Sequence, residues 1–138
     1  MSSGSTIPLA KTSPSKTVMI CDDEIDVLRA YKIALNSRFN VLTAGSGEEC
    51  LKTYSEAIES QMKVDVVVLD YRLGDMLGDE VAQKLKGIAS TNVILLTAYE
   101  IDPNHISELK DEKIISSFLK KPISLSVLIA AINELTAS

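Results

Sequence analysis

Apolar residues along this chain alternate between two patterns. Short, nearly continuous runs occupy Thr17–Cys21, Phe39–Ala44, Val64–Asp70, Asn92–Thr97 and Ile114–Leu119. Runs of this length and Val/Ile content read as strands. Between them apolar positions recur every three to four residues, which predicts helices. The first would present Ile25, Leu28, Tyr31 and Leu35 and end near Asn36; the second Cys50, Leu51, Tyr54 and Ile58; the third Val81, Ala82, Leu85 and Ile88. A fourth rests on Ile106 and Leu109, with Pro103 in its first turn, where a missing amide hydrogen costs nothing. The last shows Leu125, Leu128, Ile129, Ile132 and Leu135 behind a Ser124 cap. Ser46-Gly47-Glu48-Glu49 has the Ser-x-x-Glu spacing of a helix start.

Five alternations of buried strand and amphipathic helix call for right-handed crossovers, hence an α/β doubly wound parallel sheet with helices on both faces. For a domain this small the expected order is 2-1-3-4-5, with strands 1 and 3 adjacent at the topological switch point. Each strand then ends beside its neighbours at one edge of the sheet. Several apolar runs stop there on polar residues: Asp22 and Asp23 after strand 1, Asp70 at the end of strand 3, Thr97 at the end of strand 4, and Lys121 before Pro122 after strand 5.

Three converging carboxylates repel one another unless a cation neutralises them. A hard divalent ion suits an all-oxygen set, Mg²⁺ first and Mn²⁺ as the alternative. One carboxylate is then free to act as a nucleophile toward phosphorus, and the central strand position selects Asp70. Lys121 would offer positive charge to one phosphoryl oxygen and the Thr97 hydroxyl a hydrogen bond to another. The Lys121-Pro122 bond is a candidate for the cis isomer. Each residue also has an ordinary reading: Asp22 or Asp23 as a helix cap, Thr97 as a strand former, Lys121 as a solvated charge. Their joint placement favours a site.

Composition narrows the classes. The 138 residues, 46% of them apolar, make one domain's worth of chain. The net charge of −5 leaves no basic footprint for direct nucleic-acid contact or an anionic membrane. No run nears the ~18 residues of a membrane span and no signal peptide occurs, so a cytoplasmic protein is expected. Residues 1–16 are rich in Ser, Thr, Pro and Lys and read as a disordered tail, with the folded domain at 17–138. Cys21 and Cys50 lack metal-site or redox-motif spacing and read as buried thiols in a reducing compartment. His105, the sole histidine, reads as a loop or helix-surface residue.

The sequence resembles the receiver domain of two-component response regulators, of the single-domain type. The matching pieces are Val18-Met19-Ile20-Cys21-Asp22-Asp23-Glu24, Leu69-Asp70-Tyr71-Arg72-Leu73 with Gly78, Leu95-Leu96-Thr97-Ala98 and Phe118-Leu119-Lys120-Lys121-Pro122. The resemblance, from about Thr17 onward, implies a flavodoxin-like fold and a phosphorylation-activated switch rather than an enzyme. Asp70 would take phosphoryl from a sensor histidine kinase or phosphotransfer protein. Asp23, Asp70 and the Arg72 backbone carbonyl would hold Mg²⁺, with Asp22 assisting through water. Thr97 would move toward the phosphoryl group and Phe118 turn inward, reshaping the face of the fourth helix, fifth strand and fifth helix. That face would meet a downstream protein effector or a second copy in a phosphorylation-dependent homodimer. Lacking a hydroxyl, Phe118 is expected to prefer the buried position.

Several positions depart from the family pattern. Gly74 stands where a proline is frequent, and Lys110-Asp111-Glu112-Lys113 replaces the usual Ala-Gly before the fifth strand. Arg72 and Tyr99, each two residues past a site residue, are expected to shield the phosphoryl group from water. A haloacid-dehalogenase-type phosphohydrolase would need an acid where Arg72 stands. A phosphorylation-independent binding module would be expected to have lost an acid, the Thr or the Lys. With nothing beyond Ser138, the chain is expected to be either a stand-alone receiver or a piece of a longer regulator.

Overall fold

Strands buried from both sides satisfy their backbone by pairing with one another, and here all five do so in parallel. The computed structural model describes residues 15–137. In chain order it contains β1 (Thr17–Cys21), α1 (Ile25–Leu35), β2 (Asn40–Ala44), α2 (Gly47–Glu59), β3 (Val66–Asp70), α3 (Gly78–Ile88), β4 (Asn92–Thr97), α4 (Pro103–Asp111), β5 (Ser117–Lys120) and α5 (Leu125–Thr136). The sheet order is β2-β1-β3-β4-β5, so the expected topology holds. Cys21 pairs with Leu69, Asp70 with Leu96 and Thr97 with Lys120, which aligns the carboxyl ends of four strands. The expected tail, residues 1–16, falls almost wholly outside the described residues.

Alternate residues of the central strands feed two cores. Met19, Val67, Leu69 and Leu95 face α2, α3 and α4. Val18, Ile20, Val68, Ile94 and Leu96 face α1 and α5. Tyr54 is fully buried in the first core, and its hydroxyl donates to the Ala89 carbonyl at 2.8 Å, so no polar tip is orphaned. Cys21 and Cys50 are free, buried thiols, as expected, with sulfurs 2.7 Å apart. Burial pushes the Cys21 thiol well above its ordinary value, and such thiols pack as small apolar groups.

Three strand starts differ from the sequence pattern, and β5 ends one residue later than expected, at Lys120. Phe39 lies in the turn that follows α1, its amide donating to the Leu35 carbonyl at 3.0 Å, while its ring is buried in the α1/α5 core. Val64 and Asp65 precede β3, although Asp65 exchanges bonds with Thr17. Ile114 and Ile115 terminate α4: both amides donate to the Leu109 carbonyl, and Lys113 takes φ 60°. Their burial reflects a helix end rather than a strand. Ile25, Ile88 and Leu125, expected to face inward, are 61%, 40% and 38% exposed. Each lies in the first or last turn of its helix.

The loop from β3 to α3 closes on itself. The Gly78 amide donates to the Tyr71 carbonyl at 2.6 Å and Leu73 to Met76 at 3.1 Å. A Cβ on Gly78 would lie 2.6 Å from the Asp70 carbonyl and 2.9 Å from Leu95 Cδ1. Backbone cannot yield as a flexible side chain does, so Gly78→Ala should cost about 1–3 kcal/mol of stability in urea denaturation. An unchanged midpoint would show that the loop has room.

Candidate functional site

Parallel pairing of β1 with β3 brings the residues after Cys21 beside Asp70. Asp22, Asp23 and Asp70 each offer a carboxylate oxygen, and the three lie within 4.8 Å of one another. Asp22 is buried, Asp70 half-buried and Asp23 exposed. Lys121 reaches this group because its amide donates to the Thr97 carbonyl at 2.7 Å, anchoring the β5–α5 loop. Its Nζ lies 2.7 Å from Asp70 Oδ1 and 3.2 Å from Asp22 Oδ2. The Lys121-Pro122 peptide is cis.

Three carboxylates against one ammonium leave the cluster negative. Asp22 is committed, with Oδ1 accepting from the Glu24 amide at 2.9 Å and Oδ2 facing Lys121. Among the described residues Asp23 and the Arg72 carbonyl accept no hydrogen bond. They are free oxygen donors near Asp70, and the set fits a hard divalent cation. Partial burial pushes the Asp70 carboxyl above its ordinary value against the pull of Lys121, and the charge of Asp22 adds to the rise. Burial works against charged Lys121, but its bonds and attraction to Asp70 and Asp22 outweigh that and raise its pKa. The two shifts do not mirror each other because burial opposes the charged form of both partners.

A cavity of about 640 Å³ opens above the cluster, lined by Asp23, Asp70, Lys121, Arg72 and Tyr99 among others. Arg72 and Tyr99 touch across it, the guanidinium carbon 4.3 Å from the ring centroid. This cation–π contact ties the loop after β3 to the loop after β4. Thr97 does not line the cavity. Its hydroxyl is buried, accepts from the Tyr99 amide at 2.9 Å and lies 3.4 Å from the Tyr99 carbonyl. Phe118 is half-buried on edge strand β5, packed against the α2–α4 core.

Sequence reading missed Asp75. Its two oxygens accept from the Gly47 and Glu48 amides at 2.8 and 3.0 Å, pinning the β3–α3 loop to the start of α2. Nothing local signals a partner 28 residues away. Gly74 takes φ 84°, which proline cannot adopt, and that accounts for its departure from the family pattern. His105 lies on α4, and its Nε2 pairs with Asp79 Oδ2 on α3 at 2.7 Å. The Ser46 cap is present, accepting from Glu49 at 3.0 Å; the Glu49 carboxylate reaches back to Gly45.

Known proteins agree with this geometry. Residues 18–133 match the response regulator receiver domain family. A transcriptional regulatory protein, KdpE of Mycobacterium tuberculosis, is 31% identical over 117 residues, covering 84% of this chain and 49% of its own length. This chain thus spans about half of that relative. A receiver domain protein from Clostridium thermocellum superimposes with a TM-score of 0.75 at 28% identity, covering 88% of this chain and 94% of its own. A structure described as adenylate cyclase from Rhodopirellula baltica gives 0.80 at 29% identity, covering 88% and 87%. The chain belongs to the response regulator receiver domain family, whose members serve phosphorylation-activated signalling. Among the described residues no helix is long and apolar enough to cross a membrane.

The Glu48 and Gly47 amides hold the Asp75 carboxyl below its ordinary value. A depressed carboxylate stabilises the fold above its unfolded pKa, and that stabilisation is lost as pH falls through the folded one. Asp75 is exposed, so solvent screens its charge, and Asp75→Ala should lower stability at neutral pH by about 0.5 kcal/mol, the low end for a lost helix cap. The gap from wild type should close below the ordinary carboxylate range in urea melts taken across pH. A gap that persists there would assign the loss to something other than this charge.

Proposed function

We propose that this receiver takes a phosphoryl group on Asp70 from a sensor histidine kinase or phosphotransfer protein. The observation that carries the reading is Lys121, whose ammonium bridges Asp70 and Asp22 while Asp23 stays open to the cavity. An Asp70 oxygen attacks phosphorus, the bond from phosphorus to the donor's histidine nitrogen breaks, and that nitrogen keeps the electron pair. Mg²⁺, or Mn²⁺ in its place, would neutralise charge on the transferring oxygens, held by Asp23, Asp70 and the Arg72 carbonyl with Asp22 assisting through water. Lys121, 2.7 Å from Asp70 Oδ1, is already placed to follow the charge as it moves onto the phosphoryl group.

Thr97 supports the second half of the switch. Its hydroxyl is engaged with Tyr99, so a phosphoryl oxygen must win it from that contact. Its departure frees space toward which Phe118 can turn, and the face of α4, β5 and α5 changes shape. A protein effector, or a second copy in a phosphorylation-dependent homodimer, reads that face. Coupling of this kind is typically worth ~1–3 kcal/mol. A haloacid-dehalogenase-type reading is disfavoured because Arg72 occupies the position of its second acid and stacks on Tyr99.

Intact-mass spectrometry after incubation with acetyl phosphate tests the site. A single Mg²⁺-dependent phosphoryl adduct is expected in wild type and none in Asp70→Ala. No adduct in folded, Mg²⁺-binding wild type would instead favour a phosphorylation-independent binding module. The Arg72–Tyr99 contact shields the phosphoryl group from water, so the Arg72→Ala, Tyr99→Ala double variant should lose phosphoryl roughly threefold faster or more. A longer phosphoryl half-life in that variant would refute the shielding role.

A further inference from the structure

We propose that the opposite, amino end of the sheet carries a second site, for a small organic polyphosphate of nucleotide size. A cavity of about 690 Å³ opens there between the ends of α2, α3, α4 and α5, a size suited to such a ligand. Five of the chain's fourteen basic residues line it: Lys16, Lys63, Lys86, Lys110 and Lys113. Among the described residues Asp65 is the sole side-chain carboxylate in the lining. A chain of net charge −5 thus gathers positive charge around one concavity.

Part of that charge has local work. Lys86 donates to the Glu112 carbonyl at the end of α4, and Lys63 faces Asp65 at 3.7 Å. Asp65 is committed in turn, accepting from the Thr17 amide at 2.8 Å. Lys16, Lys110 and Lys113 have no carboxylate partner among the described residues. Three uncommitted ammonium groups suit a phosphate chain. Ile58, Ile115 and Leu135 give the same cavity an apolar wall, which suits a ligand with a ring as well as phosphates, while the Thr91 and Ser116 hydroxyls there already donate to the Val64 carbonyl and to Asn92 Oδ1.

Lys113 also has an unusual backbone. It sits at φ 60°, a left-handed conformation that glycine adopts more readily and lysine adopts at a cost. Gln61 ends α2 in the same conformation, so strain alone marks no site. Lys113 differs in that its side chain joins four other lysines around a cavity.

Isothermal titration calorimetry of the full chain with ATP, in EDTA and at low salt, tests the proposal without loading the aspartate cluster with metal. Binding tighter than about 1 mM is expected, weakened about tenfold or more by Lys110→Glu with Lys113→Glu. Arg29→Glu with Lys32→Glu on α1, an equal charge change elsewhere, should leave it intact. Lys113→Gly guards against misfolding: it should raise Tm by relieving the backbone while weakening ATP. A higher Tm with ATP affinity unchanged would make Lys113 a helix terminator only and overturn its role. Equal affinity for inorganic tripolyphosphate, or no heat with millimolar ATP, would overturn the proposal.

Discussion

One ammonium group lying between two carboxylates constrains everything around it. Lys121 can reach Asp70 and Asp22 only if β1 and β3 are neighbours, β4 lies beyond β3 and the loop after β5 folds back over Thr97. A half-buried ion pair of this kind contributes little net stability, because desolvation offsets most of the attraction. Its value is positional. It keeps a cation beside a carboxylate whose charged form burial disfavours.

The surrounding loops are held by backbone bonds rather than by bulk. Gly78 lets the chain after β3 turn directly beneath Asp70, and Asp75 fastens the same loop to α2. Arg72 then leans across to Tyr99, whose own amide is bonded to Thr97. A continuous set of contacts therefore runs from the loop after Asp70, the proposed phosphoacceptor, to Thr97, the residue proposed to respond to it. Such continuity supplies a physical route for coupling, and two alternative partners for the Thr97 hydroxyl would make it bistable.

How legible each feature is depends on whether its cause is local. β1 and β4 are readable to the residue because an unbroken apolar run stops at a polar one, and that stop is also what marks Asp22 and Thr97. β5 is misread because Ile114 and Ile115 are apolar for a different reason, covering the end of α4. Ile25, Ile88 and Leu125 keep helical spacing yet sit in terminal turns, where spacing says nothing about cover. Asp75 with Gly47, His105 with Asp79 and Cys21 with Cys50 are pairings across 26 to 29 residues, and no window of sequence contains them. The lysines are individually ordinary; only the fold gathers them.

A parallel sheet also segregates charge by its own geometry. Every crossover helix runs antiparallel to the strands, so helix amino ends collect beside the aspartates and carboxyl ends beside the lysines. Glu48, Glu49, Asp79 and Glu80 in first turns and Lys86 and Lys110 in last turns complement those dipoles. That complement explains why basic residues gather at the amino end of the sheet, but it is satisfied by side chains lying against helix carbonyls, as Lys86 does. Lys110 and Lys113 have no such bond and border open volume. The dipoles at that end are negative and would repel an anion, so uncommitted lysines in excess of those bound to carbonyls are the feature a phosphate site there requires.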